Sequence, residues 1–205
     1  MNNKEKFERY AEILREWSGR MNLVAPSTLD DIETRHIADS AQLVEYLPKD
    51  VRIIDLGSGA GFPGVVLAIL GWSVVCIESI GKKAGFLNEL KKELDLPNLT
   101  VVNDRIENYL KDKGQMGKST KSQGAGEMSI CPSGHLPIIF TARAFASLDK
   151  ILEITKNVQK GRYFLLKGQG VKDEIALAKK HHKFDYRLYP SKTGDGFVLI
   201  MNSEQ

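Results

Sequence analysis

Three glycines and one acid are the residues of this chain whose types and spacing could do chemistry. Gly57, Gly59 and Gly61 follow one apolar run and precede another. This order predicts a buried strand, a glycine loop and a helix, and a backbone without Cβ atoms lets a ligand approach closely. Glu78 ends the next apolar run, about 20 residues further on, where an acid can meet the hydroxyls of a ribose. The loop and the acid together predict a site for a nucleotide-like cofactor.

The residues around these glycines narrow the choice of cofactor. Pro63 and Gly64 make the loop fit G-x-G-x-G better than the dinucleotide pattern G-x-G-x-x-G. Asp55 ends the first predicted strand, where a carboxylate would repel a pyrophosphate but would suit a cationic or zwitterionic ligand. These features favour the amino-acid part of S-adenosylmethionine over a dinucleotide.

The rest of the chain supplies the elements that must position this loop. From residue 51 onward, predicted strands and helices alternate, which indicates an α/β fold with a parallel sheet covered by helices on both faces. Runs at 184–189 and 197–201 predict a C-terminal hairpin with one antiparallel strand. The remaining predicted strands are 51–55, 73–77, 100–103, 137–142 and 162–166, and the helices are 63–70, 82–94, 105–110, 148–158 and 171–182.

Two further segments lie outside this alternation. One amphipathic helix near the start and another from about residue 29 to 47 predict an N-terminal helical cap, 1–48, ahead of a main domain, 49–205. Thr28 is spaced to cap the second helix, along which Arg35 and Asp39 are spaced to pair. The polar, glycine-rich stretch at about 112–136 predicts a flexible insertion, because it cannot bury enough apolar area to offset the entropy of ordering.

Composition and charge exclude several classes of protein. The 205 residues, 42% of them hydrophobic, can build a core without disulfides. Two cysteines form neither a disulfide framework nor a metal cluster, so we expect no metal and a reducing, cytoplasmic location. No apolar run is long enough for a membrane span. Residues 150–192 hold 11 Lys and Arg against 4 Asp and Glu, which suits a phosphate-bearing partner.

Several short segments, taken in order, resemble one family. The decapeptide 55–64, Asp-Leu-Gly-Ser-Gly-Ala-Gly-Phe-Pro-Gly, resembles the signature of the bacterial small-subunit rRNA guanine-N7 methyltransferases, also called the glucose-inhibited division protein B family. The chain departs from this family in its long polar insertion, where the family has a short link. The other matching segments span nearly the whole chain: Trp17 with Asn22-Leu23, Arg35-His36 to Asp39-Ser40, Glu78-Ser79, Lys82-Lys83, Phe86-Leu87, Arg105-Ile106-Glu107, Arg143 to Ala146 and Lys167-Gly168.

This resemblance implies a Rossmann-like class I S-adenosylmethionine-dependent methyltransferase with a seven-stranded, mostly parallel sheet. It implies methyl transfer to N7 of guanine 527, in the 530 loop of 16S rRNA, with naked rRNA or the small ribosomal subunit as partner. Guanine N7 carries a lone pair and no proton, so the reaction needs orientation and no general base. We expect no membrane partner and a monomer.

A set of cofactor residues follows from the loop and the resemblance together. Glu78 would take the ribose hydroxyls, although a surface acid is the alternative reading. Ile106 and Glu107 would meet the adenine, chiefly through backbone groups, although a helix-surface charge is the alternative for Glu107. The predicted cofactor residues are Gly57, Gly59, Phe62, Glu78, Ile106, Glu107 and Arg143.

The resemblance implies catalytic roles for three residues. Arg143 would lie at the mouth between cofactor and substrate, and an RNA phosphate contact or an internal ion pair competes with this role. Lys167 ends a central strand at the face where α/β sheets bind ligands, which favours contact with an RNA phosphate or base. His36 would orient the substrate rather than act as a base, and a packed core histidine is its alternative.

Two other functions remain open at this point. A small-molecule methyltransferase could use the same fold, although the basic C-terminal third disfavours it. A non-enzymatic RNA-binding protein with a vestigial cofactor site is disfavoured by the intact loop and by Glu78.

Overall fold

A single sheet organises the computed structural model, which describes residues 1–115, 137–158 and 161–203. Seven strands of these residues form it in the order β3-β2-β1-β4-β5-β7-β6. The strands are β1 (Arg52–Leu56), β2 (Ser73–Ile77), β3 (Leu99–Val102), β4 (Ile138–Arg143), β5 (Arg162–Lys167), β6 (Phe184–Pro190) and β7 (Phe197–Ser203).

The strand directions follow the sequence prediction. Strands β1 to β5 run parallel to one another, whereas β7 runs antiparallel to both β5 and β6. The predicted mostly parallel sheet with a C-terminal antiparallel hairpin is therefore confirmed. The strand order reverses at β1, which lies between β2 and β4, and open α/β sheets bind ligands at such a switch point.

Helices cover both faces of the sheet, as predicted. One hydrophobic cluster joins one face to α1, α3 and α4, and a second cluster joins the other face to α5, α6 and α7. No helix among the described residues is both long and apolar enough to cross a membrane. The helices are α1 (Asn3–Ser18), α2 (Asp39–Ala41), α3 (Gly64–Ile69), α4 (Gly81–Glu93), α5 (Ile106–Gln115), α6 (Leu148–Thr155) and α7 (Val171–Ala178).

The first helix is fixed at its start by polar groups and along its length by apolar ones. Asn2 and Glu5 form a reciprocal capping box, which satisfies backbone donors that a helix start leaves free. Tyr10 and Leu14 are fully buried in the cluster that also holds α3 and α4. The division of the chain at residue 48 stays a prediction.

The helix predicted over 29–47 is present over 33–45, but it is shorter than predicted and irregular. A π-helical turn spans Glu33–Ala38, α2 follows, and a 3₁₀ turn spans Gln42–Glu45. Ser40 contributes to the irregularity because its hydroxyl donates to the His36 carbonyl at 2.7 Å, and such side-chain bonds bend helices. Thr28 does not cap a helix: its hydroxyl donates to the Ala25 carbonyl at 2.8 Å.

Helix α5 is longer than the sequence pattern indicates. It was expected to end near residue 110 but continues to Gln115, because lysines such as Lys111 favour a helix even on an exposed face. The predicted flexible insertion begins within this last turn. Its remaining part, residues 116–136, lies outside the described residues.

Candidate active site

The predicted site residues lie at the carboxyl ends of the parallel strands. The glycine loop follows β1, and Glu78 follows β2. Arg143 ends β4 and Lys167 ends β5. The sheet thus brings four separate segments to one edge, where loops can present them to a ligand.

The glycines of the loop have different neighbours. Gly57, Gly59 and Gly61 have φ angles of +67°, +52° and +93°, which residues with a Cβ rarely adopt. A Cβ on Gly57 would overlap the ring of Phe145, and one on Gly61 would lie 2.6 Å from Val65 Cγ2. A Cβ on Gly59 would meet nothing closer than the Gly57 carbonyl, at 3.8 Å. The open surface of the loop is therefore at Gly59.

Glu78 is tied to this open part of the loop. Its Oε2 accepts from the Gly59 N–H at 2.9 Å, and its Oε1 accepts from the Ile80 N–H at 2.8 Å. The residue is only 6% exposed, so the alternative of a surface acid is wrong. Asn103 adds support, because its side-chain amide donates to the Glu78 carbonyl at 2.8 Å. A carboxylate fixed beside a backbone with open space next to it suits a ligand with hydroxyl groups.

Asp55 lies below the loop and is fully buried, so its predicted contact with a cationic ligand is not formed by the side chain. Its Oδ2 accepts from the Gly64 N–H at 3.3 Å, whereas its Oδ1 has no partner among the described residues. Burial raises the pKa of this carboxyl to about 7, although hydrogen bonds from Ser58 and Gly64 oppose the rise. Asp55 thus supports the loop from inside the core.

Ile106 and Glu107 follow β3 and begin α5. Ile106 is buried in the second cluster, and Glu107 lines a small cavity of about 220 Å³ between α5 and α6. No described hydrogen bond joins Glu107 to the loop. Contact of Ile106 and Glu107 with an adenine stays a prediction.

Phe62, His36 and Arg143 form a stack beside the loop. The His36 ring lies 5.0 Å from the Phe62 ring, and the Arg143 guanidinium lies 5.1 Å above the same ring. Arg143 donates to His36 Nδ1, and His36 Nε2 lies 2.8 Å from the Thr28 hydroxyl. Burial, then the nearby Arg143 and Arg35, lowers the pKa of His36 to about 4. The ring is therefore neutral at pH 7, and both its nitrogens have partners.

Asp39 is the carboxylate that faces Arg143. The predicted pair of Arg35 with Asp39 is replaced by an ion pair of 3.3 Å between Asp39 Oδ2 and Arg143 Nη1. The π-helical turn explains the difference, because it widens the spacing on which an i, i+4 pair depends. Burial lowers the pKa of Arg143, while Asp39 acts in the opposite direction. The internal ion pair considered for Arg143 is thus present.

Lys167 has its own carboxylate partner. Its ammonium donates to Glu174 Oε2 at 2.7 Å and to the Ala146 carbonyl at 2.8 Å. Its side chain is only 8% exposed, so the charge is shielded rather than presented at the surface. The predicted contact of Lys167 with RNA is untested by this geometry.

A cavity of about 760 Å³ opens between the Arg143 side and the Lys167 side. Its walls come from the π-helical turn, the ends of β4 and β5, α7 and the turn between β6 and β7. The three predicted catalytic residues all line it, whereas the glycines of the loop do not. The polar lining includes His36, Asp39, Arg143, Lys167, Ser191 and Thr193.

Together these groups offer a ligand site in two parts. The loop and Glu78 can hold a compact ligand with hydroxyls, and the cavity can take a polar, hydrogen-bonding group. Among the described residues, no group of three or more His, Cys, Asp or Glu is arranged to hold a metal ion.

Sequence reasoning missed three contributors to this site. Phe145 packs against Gly57, and Ala144 before it has a φ of +50°, a backbone feature that no spacing indicates. Glu174 comes from a helix beyond β5, so only the fold reveals its contact with Lys167. For Asp39, the sequence predicted Arg35 as the partner, whereas the structure pairs it with Arg143. The sequence did offer one signal for Phe145, which is its position directly after a predicted strand, beside Arg143.

The fold resembles solved structures at low sequence identity. An rRNA methylase from Streptococcus thermophilus superimposes with a TM-score of 0.51 and 17% identity, covering 81% of this chain and 94% of the other. A mutant of MtNAS in complex with S-adenosylmethionine gives a TM-score of 0.57 with 11% identity, covering 99% and 76%. These similarities support the fold alone and agree with the predicted class I methyltransferase architecture.

Sequence comparison goes further. The family model described as rRNA small subunit methyltransferase G matches residues 3–120. A protein of that name from Orientia tsutsugamushi (strain Ikeda) is 42% identical over 198 residues, covering 95% of this chain and 87% of the relative. Another, from Dinoroseobacter shibae, is 38% identical over 203 residues, covering 95% and 90%. The chain therefore belongs to the rRNA small subunit methyltransferase G family, which confirms the resemblance and identifies it as an S-adenosylmethionine-dependent rRNA methyltransferase.

Proposed function

We propose that this protein transfers a methyl group from S-adenosylmethionine to N7 of guanine 527, in the 530 loop of small-subunit 16S rRNA. The observation that carries the proposal is the polar cavity beside the glycine loop. Its two partly buried cations, Arg143 and Lys167, are each paired with a carboxylate. A base that gains positive charge during the reaction would meet hydrogen-bond donors there without a net opposing charge.

The residues on the loop side fit the proposed cofactor. Gly59 leaves open space above its backbone, and Glu78 holds a carboxylate next to that space. We propose that Glu78 accepts hydrogen bonds from ribose hydroxyls, while Gly57, Gly59 and Phe62 line the ligand. Ile106, Glu107 and Arg143 complete the proposed cofactor residues.

The cavity side would position the base rather than remove a proton. When bound, S-adenosylmethionine supplies a methyl group on a positively charged sulfur, which a lone pair can attack directly. Guanine N7 has such a lone pair and no proton to lose. His36 is neutral and has partners at both nitrogens, so we propose that it orients Arg143 and the substrate. Such positioning contributes several kcal/mol to rate enhancement.

Surface charge supports an RNA substrate. Five exposed cations lie on α7, on β6 and in the link between these two elements, and basic surfaces attract phosphate backbones. We propose that naked 16S rRNA or the small ribosomal subunit binds here, that the protein acts as a monomer, and that it works in the cytoplasm. The five cations are Lys172, Lys179, Lys180, Lys183 and Arg187.

One labelling experiment tests the proposal. The protein is incubated with methyl-labelled S-adenosylmethionine and, separately, with 16S rRNA, small ribosomal subunits or a metabolite extract. We expect label in the rRNA, at a single guanine that becomes sensitive to chemical cleavage specific for N7-methylguanine. Label in small molecules alone would establish the small-molecule alternative. Cofactor binding without any transfer would favour the vestigial site.

Glu78→Gln provides the matched variant for the cofactor side. It keeps the size of the side chain but replaces a carboxylate that can accept two ribose hydrogen bonds. We expect affinity for S-adenosylhomocysteine to fall about fiftyfold, since hydrogen bonds to a charged group contribute roughly 1.5–3 kcal/mol. Calorimetric titration measures this affinity, and an unchanged value would exclude Glu78 from the cofactor site.

A further inference from the structure

We propose that Asp39 is a positioning residue: its carboxylate holds Arg143 and the turn between β6 and β7 in one arrangement across the cavity. The inference rests on the proposed function, because its kinetic consequence requires methyl transfer to rRNA. Asp39 belongs to the irregular segment between α1 and β1, whereas Arg143 ends β4 and the turn spans residues 191–196. One side chain thus connects three parts of the chain that are distant in sequence.

One oxygen of Asp39 holds the turn. Its Oδ1 accepts from the Thr193 hydroxyl at 2.9 Å and lies 3.3 Å from the Ser191 hydroxyl, which also donates to it. The Gln42 side-chain amide donates to the same oxygen at 2.8 Å, and Gln42 Oε1 accepts from the Lys192 N–H at 3.1 Å. Three of these bonds, from Thr193, Ser191 and the Lys192 N–H, therefore attach the turn to the segment of Asp39.

The other oxygen of Asp39 holds Arg143. The ion pair with Oδ2 is 3.3 Å long, and the two side chains are 21% and 18% exposed. Arg143 also donates to the Arg35 carbonyl at 3.3 Å and lies over the Phe62 ring of the glycine loop. Because Phe62 belongs to the loop that faces the proposed cofactor, Asp39 links the far wall of the cavity to the cofactor side.

Physical chemistry favours a role for this link beyond general stability. Bonds to a carboxylate are charge-assisted and stronger than neutral ones, and partial burial reduces the screening that weakens exposed ion pairs. The tip of the turn, at Gly194 and Asp195, is exposed, and segments with few buried contacts open easily. Without the carboxylate, the turn and Arg143 would no longer be held in a fixed position relative to each other.

The test compares Asp39→Asn with Glu45→Gln. Asparagine keeps the shape but offers one acceptor where the carboxylate offers two, and its amide group would face donors. Glu45 is the matched control, because it lies on the same segment and pairs with Lys192 of the same turn, yet both side chains are exposed. We expect Asp39→Asn to lower kcat about ten- to a hundredfold and to lower the affinity for S-adenosylhomocysteine much less, because Arg143 is one of several proposed cofactor residues. We expect Glu45→Gln to match the wild type.

Two further measurements separate positioning from loss of structure. Hydrogen exchange of the backbone over 191–196 should be faster in Asp39→Asn than in the wild type and in Glu45→Gln, whether or not an RNA substrate is at hand. Thr193→Val should lower kcat in the wild type but change it little in the Asp39→Asn background, because the shared link is already lost.

The outcomes distinguish this inference from the proposed function. If the wild type transfers no methyl group to rRNA, the proposed function fails, and hydrogen exchange alone decides the role of Asp39. If the wild type is active and Asp39→Asn matches Glu45→Gln in kcat and in exchange, the inference fails while the proposed function stands. Equal losses of kcat, cofactor affinity and thermal stability in Asp39→Asn would also overturn it, because they indicate a general structural role.

Discussion

The two sides of the site are built by different means. The loop side consists of backbone: glycines with positive φ angles, space for a ligand at Gly59, and one carboxylate bound to a backbone N–H. The cavity side consists of side chains, in which Arg143 and Lys167 each depend on a carboxylate from another element. The acids of the two sides also differ. Asp55 under the loop is buried and has no ion pair among the described residues, whereas Asp39 and Glu174 are each paired with a cation.

This difference indicates which changes each side can tolerate. A backbone site fails when volume is added, because its atoms approach the ligand and each other closely. A side-chain network fails when one partner is removed, because the remaining charge loses its compensation. We therefore expect added volume to be most harmful at the loop and removed charge to be most harmful at the cavity.

The largest effect should come from a pair of glycine variants in the loop. A Cβ at Gly64 would lie 2.6 Å from both Asp55 Oδ2 and Cys76 Sγ, so Gly64→Val should cost about 3 kcal/mol or more of unfolding free energy. Gly59→Val meets open space and should cost only the roughly 1–2 kcal/mol of a left-handed backbone. We expect it to fold but to bind S-adenosylhomocysteine at least about a hundredfold more weakly. Denaturation measures the loss of stability, and calorimetry measures the affinity. An affinity of Gly59→Val equal to that of the wild type would contradict the proposed difference between the two sides.

A second, smaller effect concerns the pH dependence of stability. The pKa of Asp55 rises from 3.8 to about 7 on folding, so the folded state binds the proton more tightly than the unfolded chain does. Its stabilising contribution is complete below about pH 4 and is lost as pH rises through about 7. Asp55→Asn removes this titration.

The measurement is the unfolding free energy of both proteins between pH 5 and 8. Relative to Asp55→Asn, we expect the wild type to lose on the order of a few kcal/mol across this range. Parallel curves for the two proteins would show that Asp55 does not titrate with a raised pKa.

The smallest effect should come from removing a carboxylate on the cavity side. Glu174→Gln leaves the shielded Lys167 charge without compensation, which should oppose charge development on the base and lower kcat about tenfold, or about 1.4 kcal/mol. Glu153→Gln is the control, because it removes an exposed carboxylate paired with the exposed Lys156 and should change nothing. An unaltered kcat in Glu174→Gln would mean that charge balance in the cavity is unimportant.

The loop side could be predicted from the sequence because its determinants are local. The glycines are adjacent to the strand that precedes them, and Glu78 ends the next strand, so strand periodicity alone brings these groups together. The order and direction of the strands followed from the same alternation. The buried position of Asp55 was not predicted, because the direction of its side chain depends on which face of β1 packs against α3.

For the cavity side, the sequence predicted which residues take part but not which groups they contact. His36 and Arg143 were identified with the help of the family resemblance and Lys167 from its position at the end of a strand, but their partners were not predicted. Helical spacing assigned Asp39 to Arg35, and a π-helical turn placed it opposite Arg143 instead. Glu174 and the turn at 191–196 reach the cavity only through tertiary folding, which no local pattern encodes.

The position of β7 has a consequence for the order in which this protein can assemble during synthesis. β7 follows the other described strands in sequence, yet it lies between β5 and β6 in the sheet. Among the described strands, β6 pairs with β7 alone, so β6 emerges before its partner, and the turn that walls the cavity is held on both sides only after β7 has joined β5. A nascent chain could complete the glycine loop early, whereas the substrate side must wait until β7 has been made.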